Sequence, residues 1–323
     1  MIKIAIVVIE NCLTTTIHGM QDILSIANMC SMQMHPTATE SLFSTELVSS
    51  DGMPRRSFNG VEFTPASAIA DIDDVDIIFI PPITINVESV LSDNLDIIQW
   101  IKKHHDAGVL LSSVCTGAFF LAEGGLLDGK SATTNQSYAV AFSHRYPKVN
   151  LQATKILTVD DNILCAGSTF SFMELAIHII ERYCGHDIAV QCSKILLIDK
   201  NRESQAPFMI FDGQKRHGDN TIVEIQDWLE KHAREPLSID DLSETFNMSS
   251  RNMTRRFKNA TGDSPSVYIQ RLRIESAKHF LEESRKSFDE ITYTVGYEDS
   301  RSFSRLFKKY TGLTPTNYRK KYQ

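Results

Sequence analysis

The sequence lacks the cysteine patterns of a metal site and of a disulfide-stabilised secreted protein. Its six cysteines lie at positions 12, 30, 115, 165, 184 and 192 of a 323-residue chain, and they form no CxxC pair or His/Cys cluster with zinc spacing. In a chain of this length such cysteines are expected to be reduced thiols. We therefore expect no metal site and no cofactor.

Long hydrophobic runs and an export signal are also missing. No stretch reaches the roughly 18 uncharged apolar residues of a transmembrane helix. The apolar start, residues 1–10, is short, contains Lys3 and has no small-residue cleavage site, so it is typical of a first β-strand rather than of a signal peptide. These features predict a cytoplasmic protein with no membrane partner.

The chain has no overall excess of positive charge, although such an excess is common in DNA-binding proteins. It carries 33 Lys+Arg against 40 Asp+Glu, a net charge of -7. The distribution is uneven, because residues 1–220 hold 15 basic and 25 acidic side chains and residues 221–323 hold 18 and 15. The basic charge is therefore concentrated at the C-terminal end, as we expect if that part alone contacts DNA.

The C-terminal third contains one pattern twice. Such a repeat indicates one supersecondary unit used two times, here helix, tight turn and helix, with the turns near Asn247 and Gly296. When the sequence is shifted by fifty positions, nine residues coincide: Ser250/Ser300, Arg251/Arg301, Arg255/Arg305, Phe257/Phe307, Lys258/Lys308, Thr261/Thr311, Gly262/Gly312, Pro265/Pro315 and Tyr268/Tyr318.

The second helix of each copy separates basic from apolar residues. At helical spacing, the polar residues share one face and the apolar residues point the other way. An arginine-bearing helix after a tight turn is typical of a recognition helix in the major groove of DNA. Two amphipathic surface helices with solvated charge are the alternative, but the repetition favours DNA binding. The predicted base contacts are Arg251, Thr254, Arg255, Arg301, Ser302 and Arg305.

This region resembles the AraC/XylS transcription regulators over about 100 residues. That resemblance implies two recognition helices in successive major-groove segments, joined by a long helix at about residues 266–282, and contact with RNA polymerase. The motifs that carry it are Phe257-Lys258-Asn259-Ala260-Thr261-Gly262, Val295-Gly296-Tyr297, Phe303-Ser304-Arg305-Leu306-Phe307-Lys308-Lys309 and Gly312-Leu313-Thr314-Pro315-Thr316-Asn317-Tyr318-Arg319.

The first two hundred residues alternate apolar β-branched runs with helical stretches. This order predicts an α/β fold, a flavodoxin-like parallel sheet sandwiched by helices. An all-α double helix-turn-helix domain then follows. The expected strands are 2–9, 46–49, 75–81 and 109–114, then a hairpin group at 151–153, 156–159 and 163–166; the expected helices are 20–32, 93–105, 172–184 and 187–197.

One strand end has a distinctive motif. The run from Val109 to Val114 leads directly into Cys115-Thr116-Gly117-Ala118 and a helix. A sharp strand-to-helix turn with a nucleophile is the elbow geometry of several hydrolases, and helix amides beside the thiol would favour a thiolate. Glu10, Thr116, Asn135 and Ser168 are the polar residues predicted to lie with Cys115 in a ligand pocket.

The elbow sequence and the segments around it resemble the PfpI-like branch of the class I glutamine amidotransferase superfamily, from residue 1 to about 208. Joined to an AraC-type domain, this is the layout of the GlxA-like regulators. The resemblance implies an N-terminal domain that senses a small-molecule effector and forms a homodimer, with an operator in double-stranded DNA as the other partner.

Catalysis at Cys115 would require a general base and an orienting acid. Relatives in the superfamily commonly have a histidine where this chain has Asn135, which cannot act as a base, and His144 and His178 are the remaining candidates. We therefore expect no enzyme and a vestigial nucleophile. Two alternatives stay open: a cysteine-dependent hydrolase, glyoxalase or deglycase, and a buried structural thiol with no ligand site.

These inferences predict three segments. Residues 1–211 form the sensing and dimerisation domain, and residues 220–323 form the DNA-binding domain. The polar, glycine-containing residues 212–219 form the linker between them.

Overall fold

A computed structural model of the chain describes residues 1–35, 40–84, 86–200, 202–213, 215 and 217–323. The chain divides into two compact units, Met1–Gln205 and Ala206–Gln323. The division falls before the boundary predicted at residue 211. Of the predicted linker, residues 212–219, Gln214 and Arg216 lie outside the described residues.

The first unit is built on a mostly parallel sheet. Its order is β10-β11-β7-β6-β1-β2-β5, in which β10 and β11 are antiparallel and the other neighbours are parallel. The described strands are β1 (Ile2–Val7), β2 (Phe43–Ser49), β3 (Arg55–Arg56), β4 (Glu62–Phe63), β5 (Ser67–Ala68), β6 (Ile77–Ile80), β7 (Leu110–Val114), β8 (Ser131–Ala132), β9 (Asn150–Leu151), β10 (Leu157–Asp160) and β11 (Ile163–Ala166).

Helices cover both faces of this sheet, as the sequence predicts. They are α1 (Thr14–Met34), α2 (Val87–Asp93), α3 (Leu95–Asp106), α4 (Ala118–Glu123), α5 (Ala139–Arg145), α6 (Phe172–Cys184) and α7 (His186–Ile195). Alternate residues of β1 lie in different cores: Ile4 and Ile6 pack with α1, α6 and α7, whereas Ala5 and Val7 pack with α3 and α4. Because both faces are buried over residues 4–7, this part of the strand is apolar at every position.

The predicted hairpin is confirmed in part. β10 and β11 pair antiparallel around Asp161, which has a φ of 53°. Leu151, predicted to belong to the same group, lies instead in β9, which pairs with β8 in a separate two-stranded sheet. The short apolar segment could not indicate from its own residues which neighbour it would pair with.

The second unit is helical. Its helices are α8 (Asn220–His232), α9 (Ile239–Thr245), α10 (Ser250–Thr261), α11 (Pro265–Glu283), α12 (Phe288–Thr294), α13 (Ser300–Thr311) and α14 (Pro315–Tyr322). None of the described helices of either unit combines the length and the apolar composition needed to cross a membrane.

Two hydrophobic cores of the second unit share the long helix α11. Tyr268 and Ile269, in its first half, pack with α8, α9 and α10. Ile274, Ala277 and Leu281, in its second half, pack with α12, α13 and α14. The first core contains one helix-turn-helix and the second contains the other, so a single rigid helix connects both motifs.

Residues 206–213 pack against the helices of the second unit. The Lys278 ammonium, nearly buried on α11, donates to the carbonyl of Met209 at 2.5 Å. The ring of Phe211 lies 5.0 Å from the ring of Tyr268, and the Tyr322 hydroxyl donates to the carbonyl of Pro207 at 2.9 Å. These contacts explain why the division between the units falls before residue 206.

Gly296, in the turn of the second motif, closely approaches the segment between α8 and α9. It has a φ of 89°, and a Cβ atom built there would lie 2.5 Å from the Arg234 carbonyl oxygen. The Arg273 guanidinium strengthens the same junction, because it donates to the carbonyls of Ala233 and Glu235 while it lies 5.0 Å from the ring centroid of Tyr297. The second motif is therefore close-packed against the α8–α9 connection, in addition to its attachment through α11.

We predict that Gly296→Ala destabilises the second unit much more than Gly218→Ala. Both glycines have positive φ, but a Cβ at Gly218 would meet nothing within 4 Å. In both variants the free energy of unfolding should fall by about 1–2 kcal/mol, because alanine disfavours the left-handed conformation. In Gly296→Ala the free energy of unfolding should fall by about 1–3 kcal/mol more, because the backbone must move to make room for the methyl group. Urea unfolding of the full chain measures both, and equal losses would contradict the close contact.

Candidate functional site

The two helix-turn-helix motifs have equivalent turns. Asn247 and Gly296 supply the positive φ that reverses the chain, at 49° and 89°. Ser249 then caps α10 by accepting from an amide of its first turn, and Asp299 caps α13 in the same way. The predicted turns are confirmed, and the caps fix where each second helix begins.

The ends of α10 and α13 are equivalent as well. The hydroxyls of Thr261 and Thr311 each donate to the carbonyl four residues earlier at 2.8 Å, and the following glycine is left-handed in both copies. The Phe257 ring meets the Tyr268 ring edge-on at 5.1 Å, and Phe307 meets Tyr318 at 5.3 Å. Most of the repeated residues outside the basic face are therefore capping and core positions.

The predicted division between basic and apolar faces is confirmed. Arg251, Arg255, Arg301, Ser302 and Arg305 are exposed, and Thr254 is half-buried. The opposite faces of α10 and α13 are fully buried, at 0% exposure for Met253, Phe257, Phe303 and Phe307. Burial of the aromatic face determines which side chains each helix presents outward.

One arginine of each helix is oriented by a side chain three residues earlier. Arg255 donates to the Asn252 Oδ1 atom at 3.1 Å, and Arg305 donates to the Ser302 Oγ atom at 3.3 Å. Asn252 was not among the predicted contacts, and neither was Ser304, which is half-buried between Arg301 and Arg305. The fifty-residue repeat could have identified both, since it pairs Asn252 with Ser302 and Thr254 with Ser304.

The length of α11 suits two contacts along one face of DNA. Its 19 residues correspond to about 28 Å at the rise of an α-helix. One turn of B-DNA measures about 34 Å. A connecting helix of this length can hold two recognition helices at nearly the distance between successive major-groove segments.

In the first unit, Cys115 forms the predicted elbow. The residue has a φ of 58° between β7 and the 3-10 turn Cys115–Gly117. The Thr134 hydroxyl donates to the Cys115 carbonyl at 2.7 Å, and the Thr116 hydroxyl donates to the Ile83 carbonyl at 2.7 Å. A Cβ atom at Gly117 would lie 2.6 Å from the Ile80 carbonyl oxygen, so only glycine permits this packing. These contacts hold a strained conformation in place.

The Cys115 thiol lies in a site that favours its neutral form. Burial raises the pKa of this thiol above its ordinary value, and this effect outweighs hydrogen bonds to the thiol from the Thr116 amide and from the side chains of Asn135, Thr169 and Thr116. The Thr116 amide does favour the thiolate, as expected, but its effect is outweighed because only 5% of the residue is exposed.

Of the four residues predicted to lie with Cys115 in a ligand pocket, two contact its thiol. Thr116 and Asn135 hydrogen-bond to the thiol. The Ser168 hydroxyl instead lies 3.1 Å from the Ser171 hydroxyl, and the next residue, Thr169, reaches the thiol. Glu10 is exposed and accepts from the Arg56 amide at 3.2 Å. Thr169 was missed because nothing in the sequence distinguishes it from Ser168.

The two candidate histidines are not among the groups that hydrogen-bond to the thiol. His144 is exposed on α5. His178 is half-buried on α6, where burial lowers its pKa, and it lines a cavity whose lining does not include Cys115. The hydrogen-bonding side chains found at the thiol are an amide and two hydroxyls, none of which is a general base at neutral pH.

Comparison with known proteins gives a match for each unit. The sequence model of the DJ-1/PfpI family matches residues 13–182, and that of a helix-turn-helix domain matches residues 242–321. The transcriptional regulator CdhR of Pseudomonas aeruginosa is 27% identical over 285 residues, which cover 86% of this chain and 82% of that protein. The regulator GlxA of Rhizobium meliloti is 25% identical over 216 residues, 66% of each chain.

Among solved structures, an AraC family transcriptional regulator from Pseudomonas putida superposes with a TM-score of 0.53 at 20% identity. The superposition covers 61% of this chain and 100% of that one. It supports the fold of the first unit.

We predict that alkylation of Cys115 becomes fast only at alkaline pH. A raised thiol pKa keeps the thiolate scarce at pH 7, so its fraction grows as pH rises beyond the ordinary value of 9.0. Iodoacetamide labelling of the full chain between pH 6 and 10, read by peptide mass spectrometry, measures this. A labelling rate that is already at its plateau at neutral pH would indicate an activated thiolate and would support the hydrolase alternative.

Proposed function

The chain belongs to the DJ-1/PfpI family and carries an AraC-type helix-turn-helix domain at its other end, and we propose that it is a DNA-binding transcriptional regulator whose first unit senses a small metabolite. The regulator function agrees with the relatives CdhR and GlxA, both of which are HTH-type transcriptional regulators. The metabolite response, the residues that contact DNA and the subunit arrangement are the parts of the proposal that need testing.

The observation that carries the proposal is the equivalence of α10 and α13. Each buries two large apolar side chains at 0% exposure and presents arginines on the opposite face. Each also orients one arginine through the residue three positions earlier. A guanidinium held in this way is suited to two hydrogen bonds with guanine O6 and N7. Two surface helices with merely solvated charge would not be expected to share the same hydrogen bond from an arginine to the side chain three residues earlier.

The charge distribution supports the same conclusion. The basic residues are concentrated in the helical unit, and the first unit is acidic, so DNA is attracted to one end of the chain. We also infer that the protein acts in the cytoplasm, in contact with operator DNA, and that it influences RNA polymerase there.

We propose that Cys115 is not a catalytic residue. Burial raises the pKa of its thiol, and its hydrogen-bonding partners are Asn135, Thr116 and Thr169 rather than a histidine. The elbow then serves as a structural remnant or as the floor of a ligand pocket. Glu10 and Ser168 remain candidates for the rim of such a pocket, although their described hydrogen bonds are made to Arg56 and Ser171.

We predict that Arg255→Ala and Arg305→Ala each weaken binding to the preferred operator by about 1–3 kcal/mol, because each removes a two-pronged base contact. Arg285→Ala is the matched control: Arg285 is exposed and lies between α11 and α12, outside both recognition helices. Fluorescence anisotropy with the operator and with a scrambled duplex separates the loss of a base contact from the loss of general electrostatic attraction to DNA.

The control variant should reduce affinity for both duplexes by a similar small factor. The two recognition-helix variants should reduce affinity for the scrambled duplex by a similar small factor and affinity for the operator by much more. Operator affinity that is the same in both recognition-helix variants and in the unaltered chain would show that other residues read the bases.

A homodimer is part of the proposal, since most soluble oligomers are twofold symmetric. Helix α1 supplies a candidate surface, because Met29 and Met32 are 58% and 52% exposed and lie three residues apart on it. Exposed apolar patches of this kind are common at protein interfaces.

We predict dimers in sedimentation velocity at micromolar concentration, and a shift toward monomer in Met29→Asp, which would bury an unpaired charge. Met53→Asp, at a methionine that is 59% exposed and outside α1, is the matched control and should leave the dimer intact. A chain that sediments only as a monomer, with and without DNA, would remove the dimer from the proposal. A dimer that is unaffected by Met29→Asp would place the interface elsewhere.

A further inference from the structure

A cavity of about 220 Å³ lies in the first unit beside helix α6. Its lining contains none of the five residues that the sequence predicted for a ligand pocket at Cys115. Glu174 and His178 of α6 form one wall, and Lys200 and Arg202 form another. Lys155, just before β10, is exposed at its rim. The elbow prediction did not anticipate this site, because its charged residues lie far apart in the sequence.

The Glu174 carboxylate is only half satisfied. Arg202 approaches one of its oxygens, Oε1, with both Nε, at 2.7 Å, and a terminal guanidinium nitrogen, at 2.6 Å. The other oxygen, Oε2, is buried and has no hydrogen-bond partner among the described residues. Only 9% of the Glu174 side chain is exposed, so bulk water does not solvate this oxygen freely. A buried carboxylate oxygen without a donor is costly.

The neighbouring cations do not supply the missing donor. Lys200 donates to the Glu181 Oε1 atom at 2.9 Å. His178 is half-buried, and its ring is not a hydrogen-bond partner of Oε2. Arg202 is already committed to Oε1. The missing donor can come from a molecule that enters the cavity.

We propose that this cavity binds a small metabolite through an ammonium group, whose N–H donates to Oε2 of Glu174. The volume is below the roughly 300–1,000 Å³ of sites for drug-sized ligands, which limits the ligand to the size of an amino acid or a short amine. Lys155, an exposed cation at the rim, can attract a carboxylate at the other end of the same molecule. The inference rests on the proposed metabolite response and gives it a site and a chemical class.

The position of the cavity in the chain suits a signal to the DNA-binding unit. Its wall includes residues 200, 202 and 203. Three residues later begins the segment 206–213, which Lys278 and Tyr322 hold against the helices of the second unit. A ligand that pulls on the Glu174–Arg202 pair therefore acts on backbone that leads directly into this held segment.

The test is isothermal titration of the full chain with four probes: putrescine, 4-aminobutyrate, L-lysine and 4-(trimethylammonio)butyrate. At least one primary amine should bind. The trimethylated compound, which keeps the charge but has no N–H, should bind at least about tenfold more weakly than 4-aminobutyrate, and Glu174→Gln should weaken the binding amine about 10- to 100-fold. Glu62→Gln, the same change at an exposed carboxylate of the first unit, should have no effect.

Three results would overturn the assignment. They are no binding by any primary amine, equal affinity for the trimethylated compound, and loss of binding in Asn135→Ala with full binding in Glu174→Gln, which would locate the ligand at the elbow. The methylated probe tests the contact in the unaltered chain, so a poorly folded variant does not decide the outcome. A chain that selects DNA but binds none of the amines contradicts this inference alone, because the DNA-binding function does not depend on the cavity.

Discussion

The arrangement of the DNA-binding unit depends on one helix that belongs to two cores. Each helix-turn-helix has too few residues to bury a core by itself, and each completes its core with one half of α11. Phe257 and Phe307 are fully buried as a result, and the arginines on the opposite faces of α10 and α13 can point only outward. The close approach of Gly296 to the carbonyl of Arg234 then places the second motif against the segment between α8 and α9.

The elbow illustrates how burial changes the chemistry of a familiar backbone shape. Cys115 has the left-handed conformation expected at a nucleophile, and the contacts around Gly117 and Thr134 hold it there. The thiol is nevertheless closed off from solvent, and burial raises its pKa. The geometry of such a turn is therefore preserved without an activated thiolate. Helix α6 lines a cavity elsewhere in the same unit, where Glu174 retains an oxygen without a hydrogen-bond partner among the described residues.

The sequence was sufficient to predict the fold class and the basic faces of α10 and α13, because both depend on short-range periodicity. Residues 4–7 of β1 are all apolar since they are buried on both sides, and Met253 and Phe257 alternate with arginines at helical spacing. Contacts between distant residues were not predictable. Nothing near Glu174 indicates that Arg202, twenty-eight residues later, pairs with one of its oxygens only. The attachment of Met209 to Lys278 is likewise a tertiary contact without a local signal.

The most direct test of the central claim is selection of DNA by the full chain from a library of random duplexes. Two equivalent recognition helices joined by a helix of about 28 Å should select two short conserved blocks whose centres are separated by about one helical turn, roughly 10 base pairs. The Arg305→Ala variant should lose conservation in one block and keep it in the other. A single conserved block in the unaltered chain, or no preference among the duplexes, would contradict the claim that α10 and α13 both read DNA.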